Sequence, residues 1–374
     1  MKIVFFLGTF AYGGAEKHAL LLADYYKNHL NWETEVWGWS ELDGPIPEMC
    51  SKINVPTIEV PKYKPTGFWN KRKLDKRYKK LFKGTDVVMS FNNKPNIFCA
   101  EFIPQIETKL HVWAQQGIDG YTFPKAHEKT FLKNVPVVIS NSNNGANFLE
   151  NEVGISPDLI KVVYNGIDTK PEPRDSKAWE GKLSLPNVAT FNAVMVANIT
   201  RLKDHVTLVK SWKQVTDTLA EKGIHANLYC AGRKDNMIEA TEAEIKNQGL
   251  EKNVHLLGGV SDVYNLVELM DLAILSSPSE GLPNAVLEVM LLSKPFVGTN
   301  IEGIREAVGS NNFQYLSEFE DVNGLASNIL NFALDKELLE KVGEDNKKWV
   351  EDTFPINKLW VNTHAIVADH LQKI

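Results

Sequence analysis

The stretch SEGLPNAVLEV, residues 279–289, carries the strongest indication of the fold. An apolar run, DLAIL at residues 271–275, comes shortly before it and has the length and composition of a buried strand. Pro283 suits the first turn of a helix, because the backbone N–H that proline lacks would be unpaired there anyway. The stretch therefore predicts a strand, a short loop and a helix in succession.

Two glutamates, Glu280 and Glu288, stand on either side of this turn. The first N–H groups of a helix are unpaired and the helix dipole adds roughly half a positive charge, so the turn attracts an anion. Eight residues span at most about 12 Å in a helix, which is comparable to a diphosphate with a sugar at each end. We expect the carboxylates to hold hydroxyl groups beside the anion. The plainer alternative is a helix-start acid and a solvated side chain.

Short apolar runs alternate with longer helical patterns along the whole chain. They lie at residues 3–7, 35–39, 86–91, 111–114, 135–139 and 162–164, and resume after a polar stretch at 193–197, 225–231, 254–257, 272–275 and 295–298. This alternation predicts parallel strands with crossover helices. We therefore predict an α/β fold of two Rossmann-like, doubly wound domains facing each other across a cleft, at residues 1–180 and 181–355. Residues 356–374 predict an amphipathic terminal helix.

Composition excludes several classes of protein. The 374 residues, 43% of them apolar, can bury two cores of ordinary size, and a net charge of -6 argues against a nucleic-acid binder. Three widely spaced cysteines in apolar surroundings predict buried free thiols in a reducing compartment. The apolar start MKIVFFLGTF predicts a first strand, and no run approaches the ~18 apolar residues of a membrane span. We expect a cytoplasmic protein.

The junction at residues 271–290 resembles the E-x7-E segment of family 4 retaining glycosyltransferases. Three further stretches add to this resemblance: the loop GGAE at residues 13–16, the segment YNGID at 164–168 and the segment VANITRLKDH at 196–205. It covers nearly the whole chain and is strongest over residues 194–308. It implies the GT-B fold, with the last helix crossing back to pack on the first domain and residues 164–168 at the junction between domains.

The resemblance implies a donor site in the second domain. Glu280 would hold the hydroxyls of the donor sugar, and Glu288 would hold the ribose. The diphosphate would bind the backbone amides of the turn between them. That turn consists of Gly281, Leu282, Pro283 and Asn284.

A lysine is the second candidate catalytic residue. Lys203 would stabilise the charge that develops on the leaving diphosphate. Relatives usually carry a basic residue a few positions before this lysine, where this chain has Asn198, and Arg201 is the candidate to take over that role. Gly258, at a strand end, would line the nucleotide. A solvated loop lysine is the alternative for Lys203.

The first domain supplies fewer indications. Gly13 and Gly14 resemble the loop that closes the first domain over the cleft in this family, although a structural turn is an alternative. Many relatives carry a histidine near the reacting sugar carbon. The nearest match here is Gln115, with Gln116 beside it, while His111 is expected to be a strand residue.

Together with these residues, the resemblance implies a retaining, metal-independent glycosyltransferase. It would move a sugar from a UDP- or GDP-sugar to a glycan or lipid-linked acceptor in cell-surface polysaccharide or glycolipid biosynthesis. No metal and no other cofactor is expected, since Lys203 and the helix amides supply positive charge. Two alternatives stay open, a nucleotide-sugar epimerase or hydrolase of the same fold and a non-catalytic sugar-nucleotide-binding subunit. Gln115 in place of histidine favours the subunit, whereas the glutamate pair and Lys203 count against it.

A basic segment, KRKLDKRYKKLFK at residues 71–83, predicts a helix with one apolar stripe and an otherwise basic surface. Together with the aromatic residues before it, residues 68–83 are expected to dock on an anionic membrane surface, which would make the protein peripheral at the inner face of the membrane. The alternative is a crossover helix that packs its stripe on the first sheet. Both can hold at once.

Overall fold

Each half of the chain is built on one parallel sheet with helices on its faces. The computed structural model describes residues 1–11, 13–39, 44–62, 68–118, 128–168, 179, 183 and 189–373. Unit 1 comprises Met1–Gly166 and Asn357–Ile374, and unit 2 comprises Ile167–Ile356. The chain passes from unit 1 to unit 2 after Gly166, whereas the predicted boundary at residues 180 and 181 lies outside the described residues.

Unit 1 contains a seven-stranded sheet in the order β3-β2-β1-β4-β5-β6-β7, with every pair parallel. Its strands are β1 (Lys2–Leu7), β2 (Glu33–Gly38), β3 (Thr57–Glu59), β4 (Val87–Phe91), β5 (Leu110–Gln115), β6 (Val137–Ser140) and β7 (Ile160–Val162). Its helices include α1 (Gly14–Asp24), α2 (Pro45–Lys52), α3 (Phe68–Leu81), α4 (Asn93–Phe102) and α5 (Asn143–Phe148).

The first strand shows why a parallel sheet forms here. Its residues alternate between two cores, with Ile3 and Phe5 facing α1 on one side and Val4 and Phe6 facing α3 and α4 on the other. All four side chains are fully buried. A strand covered on both faces needs a continuous apolar run, which is the pattern in the sequence.

Unit 2 contains a six-stranded parallel sheet in the order β10-β9-β8-β11-β12-β13. Its strands are β8 (Thr190–Val196), β9 (His225–Ala231), β10 (Val254–Gly258), β11 (Leu272–Leu275), β12 (Phe296–Thr299) and β13 (Leu316–Ser317). Its helices include α6 (His205–Ala220), α7 (Ile238–Asn247), α8 (Val263–Glu268), α9 (Asn284–Leu291), α10 (Glu302–Val308), α11 (Val322–Leu334) and α12 (Lys336–Thr353).

The terminal helix α13 (Ile356–Gln372) packs on unit 1, as predicted. Trp360 stacks on Tyr25 with ring centroids 5.2 Å apart, and its indole N–H donates to the carbonyl of Leu21 at 3.0 Å. Leu359 and Val367 are buried in the core beside α1. The two ends of the chain therefore stabilise the same unit.

The predicted α/β fold class is confirmed, and every predicted strand is present within a few residues of its expected bounds. Among the described residues, two strands were missed, β3 and β13. Both lie at sheet edges and have three and two residues, so they are too short to show a pattern.

The three cysteines are buried free thiols, as expected. Burial raises the pKa of Cys50 and of Cys230 to about 12, so neither is a reactive thiolate at neutral pH. Among the helices of the described residues, none is both long and apolar enough to cross a bilayer.

Candidate active site

The candidate site of unit 2 lies where the strand order reverses. Strand β9 lies on one side of β8, and β11 lies on the other side. Loops after two such neighbouring strands diverge and leave a crevice at the carboxyl ends of the strands, where ligands of doubly wound sheets bind. The loops after β8 and β11 carry the predicted residues Lys203 and Glu280.

Glu280 is a buried carboxylate with two donors on one oxygen. Its side chain is 9% exposed, and Oε1 accepts a hydrogen bond from Ser277 Oγ at 2.6 Å. Lys203 Nζ forms an ion pair with the same oxygen. Because the two partners come from loops 77 residues apart in the chain, this contact joins the two sides of the crevice. The predicted catalytic pair is therefore brought together.

The backbone on the Lys203 side is also fixed. Ser276 Oγ contacts the carbonyl oxygens of Lys203 and Asp204 at 3.2 and 3.0 Å. Asp204 adopts a left-handed conformation, φ 40° and ψ 54°, and its carboxylate caps α6 by accepting from Thr207 N at 3.2 Å. The position of Lys203 is thus set by the start of the following helix and by the neighbouring strand.

Two glycines allow the close packing of these loops. A Cβ atom on Gly303, in the first turn of α10, would lie 2.0 Å from the carbonyl oxygen of Gly281 and 2.3 Å from that of Glu280. A Cβ on Gly232, after β9, would lie 2.0 Å from the carbonyl oxygen of Ala197. Only glycine fits at these two places, because the neighbouring atoms are backbone.

The turn after Glu280 leads into α9 with one difference from the prediction. Pro283 is the residue before the helix, which starts at Asn284, and its carbonyl accepts from Val286 N at 3.1 Å. Gly281 and Leu282 are buried. Glu288 is half-buried and lies four residues after Asn284, so both belong to the same face of α9.

Three predicted donor-site residues have structural roles of their own. Asn198 Oδ1 accepts from the backbone N–H of Arg233 at 2.9 Å, which ties the loop after β8 to the loop after β9. Arg201 is exposed, and its backbone N–H donates to Asn236 Oδ1 at 3.3 Å. Gly258 ends β10 with φ +74°, a conformation that favours glycine.

His205 is a buried residue of the same loop that the sequence interpretation left without a role. Neither ring nitrogen has a hydrogen-bond partner among the residues that the structure describes. Burial, and to a smaller extent the charge of Lys203, lowers its pKa to about 4. His205 is therefore neutral at pH 7 and leaves the positive charge at this edge to lysine and arginine. Its position two residues after Lys203 was the only signal in the sequence.

Unit 1 carries a comparable arrangement at its own switch point, between β1 and β4. Gly13 precedes α1 and Gly14 is its first residue. The carboxylate of Glu16 is buried and accepts from Asn92 Nδ2 at 3.1 Å, which joins the first turn of α1 to the segment after β4. A Cβ on Gly13 would lie 2.8 Å from Glu16 Oε2. Gly13 thus makes room for a carboxylate that the sequence interpretation had not assigned.

A buried histidine connects α1 to the end of unit 1. His18 Nδ1 lies 2.6 Å from Asn165 Oδ1, so the ring donates from this nitrogen to the amide oxygen. Burial lowers the pKa of His18 to about 4, against smaller opposing effects of Asn165 and of the neighbouring Gln116. The predicted junction segment is held by this pair.

The two glutamines after β5 differ in their surroundings. Gln115 is buried, accepts from Trp113 Nε1 at 3.0 Å and donates to the carbonyl of Gly117. Its side chain is thus engaged within its own strand end. Gln116 has buried amide atoms with no partner of hydrogen-bond geometry among the described residues. Of the two, Gln116 is the one that lies beside His18 and is less firmly engaged, although the sequence match had favoured Gln115.

His111 is a strand residue, as expected. Its Nε2 lies 2.8 Å from Ser90 Oγ in the interior, and burial lowers its pKa to about 3. Within the described residues, no group of three His, Cys, Asp or Glu is arranged to hold a metal ion.

Two family models match the chain over nearly its whole length. Residues 12–171 match the model described as Glycosyltransferase Family 4, and residues 184–349 match the model described as Glycosyl transferases group 1. The chain belongs to glycosyltransferase family 4. The two models together cover most of both halves of this GT4 chain, including the loop at residues 13–16 and the Glu280 junction.

Curated relatives match part of the GT4 chain. N-acetyl-alpha-D-glucosaminyl L-malate synthase of Bacillus anthracis is 30% identical over 214 residues, which cover 57% of this chain and 54% of that protein. N,N'-diacetylbacillosaminyl-diphospho-undecaprenol alpha-1,3-N-acetylgalactosaminyltransferase of Campylobacter jejuni is 28% identical over 191 residues, 50% of this chain and 46% of that protein. The chain spans about half the length of the curated relatives it matches.

Solved structures share the whole fold. A glycosyltransferase from Rickettsia africae has a TM-score of 0.84 at 20% identity, covering 100% of this chain and 99% of its own. HepE of Anabaena, solved in complex with UDP-glucose, has a TM-score of 0.82 at 19% identity, covering 99% of this chain and 100% of its own. The GT-B architecture predicted for this GT4 chain is therefore confirmed.

Proposed function

We propose that this GT4 chain is a retaining glycosyltransferase that takes its sugar from a nucleotide diphosphate-sugar without a metal ion. The observation that carries the proposal is the buried ion pair of Glu280 and Lys203 at the switch point of unit 2. A charged pair held by Ser277 at the mouth of a crevice has no part in packing the core. Strained or costly polar groups of this kind are typical of binding and catalytic sites.

The proposed division of labour follows from charge. The diphosphate binds the backbone amides at the start of α9, where the helix dipole favours an anion. Lys203 stabilises the additional negative charge as the bond to the sugar breaks. Glu280, fixed by Ser277, accepts hydrogen bonds from hydroxyls of the donor sugar, and Glu288 accepts them from the ribose. Positive charge from lysine and amides makes a metal ion unnecessary for the leaving group.

Uridine is the proposed base, with guanosine as the competitor to test. HepE of Anabaena, which shares the fold, was solved with UDP-glucose. The Campylobacter relative is named for an acceptor on diphospho-undecaprenol, which supports a lipid-linked glycan as the acceptor here. We place the reaction in cell-surface polysaccharide or glycolipid biosynthesis, in the cytoplasm at the inner face of the membrane.

The proposal is tested by nucleotide binding. Thermal unfolding is followed with UDP, GDP, ADP and their common sugar conjugates, each with and without a chelator. A ligand that binds the native state raises the midpoint by mass action, so one nucleotide should stand out and the chelator should have no effect. Lys203→Ala and Glu288→Ala should weaken this shift, whereas Lys222→Ala, an exposed lysine of the same unit, should leave it intact.

Product analysis separates transfer from the alternatives. Incubation of the sugar conjugate that binds with a lipid-linked acceptor should yield a glycoside with the anomeric configuration of the donor. Release of nucleotide without any acceptor at the same rate would indicate a hydrolase, and a changed sugar configuration on the nucleotide would indicate an epimerase. Failure of every nucleotide to shift the wild-type midpoint at millimolar concentration would remove the donor site and the proposal with it.

A further inference from the structure

Helix α3 (Phe68–Leu81) uses its apolar stripe inside the protein. Tyr78 is fully buried, and Phe82, just after the helix, is 2% exposed. Both belong to the core that covers one face of the first sheet, where Tyr78 packs on Phe98 with ring centroids 4.8 Å apart. This stripe is therefore not available for insertion into a bilayer, and α3 packs on the first sheet as the alternative described. This packing does not explain the residues on the opposite face of α3.

The opposite face of α3 is a straight basic stripe. At about 100° per residue, five side chains fall within about 100° of the helix circumference and lie opposite Tyr78. With about 1.5 Å of rise per residue, the stripe is roughly 16 Å long. The basic stripe consists of Trp69, Arg72, Lys73, Lys76 and Lys80.

Every member of the basic stripe is exposed, and Trp69 is 79% exposed. An exposed tryptophan on a helix end is unusual for a soluble surface, because its large apolar ring gains nothing from water. Within the described residues, Lys73, Lys76 and Lys80 contact no carboxylate. An ion pair within this helix joins Lys71 and Asp75 at 3.3 Å, on its flank.

The charge of α3 is opposite to that of the chain. The helix FWNKRKLDKRYKKL has seven basic residues and one acidic residue, whereas the whole chain has a net charge of -6. Lys79, Arg77 and Lys83 are exposed beside the stripe and extend the positive surface. A local concentration of this size attracts a surface of repeated negative charges.

We propose that the basic stripe docks this protein on a bilayer that contains anionic phospholipids. Lysine and arginine contact the phosphate groups, and Trp69 lies at the level of the headgroups, where amphipathic aromatic rings are favoured. The exposed tryptophan favours a lipid surface over a nucleic acid. This binding needs neither nucleotide nor acceptor, so it does not depend on the proposed function.

Vesicle sedimentation with the full chain tests the proposal. The chain should sediment with vesicles of phosphatidylglycerol and phosphatidylcholine, should stay in solution with phosphatidylcholine alone, and should be released as salt is raised. Lys73→Gln, Lys76→Gln and Lys80→Gln combined should weaken binding by roughly a hundredfold, since each charge near an anionic surface contributes a similar increment. Trp69→Ala should weaken it further, and this loss should persist at raised salt.

The matched control removes the same number of charges elsewhere. A triple variant of exposed positions of α12 in unit 2 should leave vesicle binding unchanged. It combines Lys341→Gln, Lys347→Gln and Lys348→Gln. Circular dichroism and the thermal midpoint check that both triple variants are folded. Equal losses in the two variants, or equal binding to neutral vesicles, would overturn the proposal.

Two competing ligands test whether the basic stripe binds something other than a lipid surface. Glycerophosphate in solution should not displace the chain from vesicles, because a single phosphate lacks the repeated charge of the surface. Single-stranded RNA should bind more weakly than the anionic vesicles at the same salt. Displacement by glycerophosphate would indicate a discrete phosphate site, and tighter binding to RNA that the α3 variant abolishes would indicate a nucleic-acid surface. Either result would overturn lipid docking.

Discussion

At the scale of single residues, Glu280 and Lys203 compensate each other's charge at the edge of unit 2. Burying a carboxylate is costly, and its partner lowers that cost only while the geometry is kept. Ser277 supplies the second donor. Removing either partner of this ion pair should therefore affect the stability of unit 2 as well as ligand binding.

Breaking this pair on one side is expected to destabilise unit 2. Lys203→Met leaves the buried carboxylate of Glu280 uncompensated, which we expect to cost about 2–3 kcal/mol, because the partly exposed lysine moderates the loss. Lys203→Met combined with Glu280→Gln should recover most of this stability, since no charge is left buried. Urea unfolding of the three proteins gives the comparison. Equal stability of both variants would argue against a compensated buried charge.

His205 predicts a dependence of stability on pH. Its pKa in the folded protein is lowered to about 4, below the ~6.5 of an unfolded chain, so the unfolded state takes up a proton first as pH falls. The stability from neutral His205 is therefore present above pH ~6.5 and is lost between that value and about 4. From pH 7 to pH 5, wild type should lose about 2 kcal/mol more than His205→Leu. Urea unfolding of unit 2 at both pH values measures it, and parallel losses would contradict the buried, uncharged state of His205.

The two glutamines after β5 are expected to respond differently to the same substitution. Gln115→Ala removes hydrogen bonds to Trp113 and Gly117 and should cost about 1–3 kcal/mol. Gln116→Ala removes a buried amide that interacts with His18 but has no partner of full hydrogen-bond geometry, so its cost should be smaller, about 1 kcal/mol or less. Thermal unfolding distinguishes them. A loss of transfer in Gln116→Ala at unchanged stability would assign the acceptor-side role to Gln116.

At the scale of elements, both sheets have the same kind of side-chain contact at their switch points. In each unit a buried carboxylate that follows one strand bonds a side chain that follows the neighbouring strand, Glu280 with Lys203 and Glu16 with Asn92. Glycines next to these carboxylates allow the segments to approach closely. These contacts lie at the edges where ligands of such sheets bind.

Gly303 tests how closely α10 must approach the Glu280 loop. Gly303→Ala places a methyl group within 2.0 Å of the Gly281 carbonyl oxygen, so the loop must shift. We expect a loss of about 1–3 kcal/mol and a weaker nucleotide-induced shift of the midpoint. Gly259→Ala is the matched control, because its methyl group would meet only Arg233 Cγ, at 3.8 Å. Retention of the full nucleotide shift in Gly303→Ala would contradict the support that α10 is assigned.

At the scale of the whole molecule, the chain leaves unit 1 after Gly166 and returns to it with α13. Ile167 N donates to the carbonyl of Phe354 at 2.8 Å, and Ile356 N donates to the carbonyl of Ile167 at 3.0 Å, so the outgoing and returning segments run side by side. The stability of unit 1 therefore depends on residues from both ends of the sequence.

Removal of the contact between α13 and α1 should destabilise unit 1 selectively. Trp360→Ala loses the stacking on Tyr25 and the hydrogen bond to Leu21, and we expect a loss of about 2–3 kcal/mol. Trp360→Phe keeps an aromatic ring and should lose about 1 kcal/mol, chiefly the hydrogen bond. Limited proteolysis with mass spectrometry should show cleavage confined to unit 1. Equal cleavage in unit 2 would show that α13 does not act locally.

The sequence by itself determined the features that depend on local pattern. Continuous apolar runs predict strands covered on both faces, and the alternation with helices predicts two parallel sheets. The junction at residues 271–290 places Glu280 and Glu288 by spacing alone, because a strand, a turn and a helix are contiguous in the chain.

Only the tertiary structure decided which distant groups meet. It pairs Glu280 with Lys203, gives Gln115 and Gln116 different surroundings and joins His18 to Asn165. It also buries the apolar stripe of α3 while leaving its basic stripe in solvent. These outcomes depend on strand order and on side-chain packing between elements remote in sequence. No single segment contains that information, because hydrogen bonds and burial are properties of the assembled sheet and its loops.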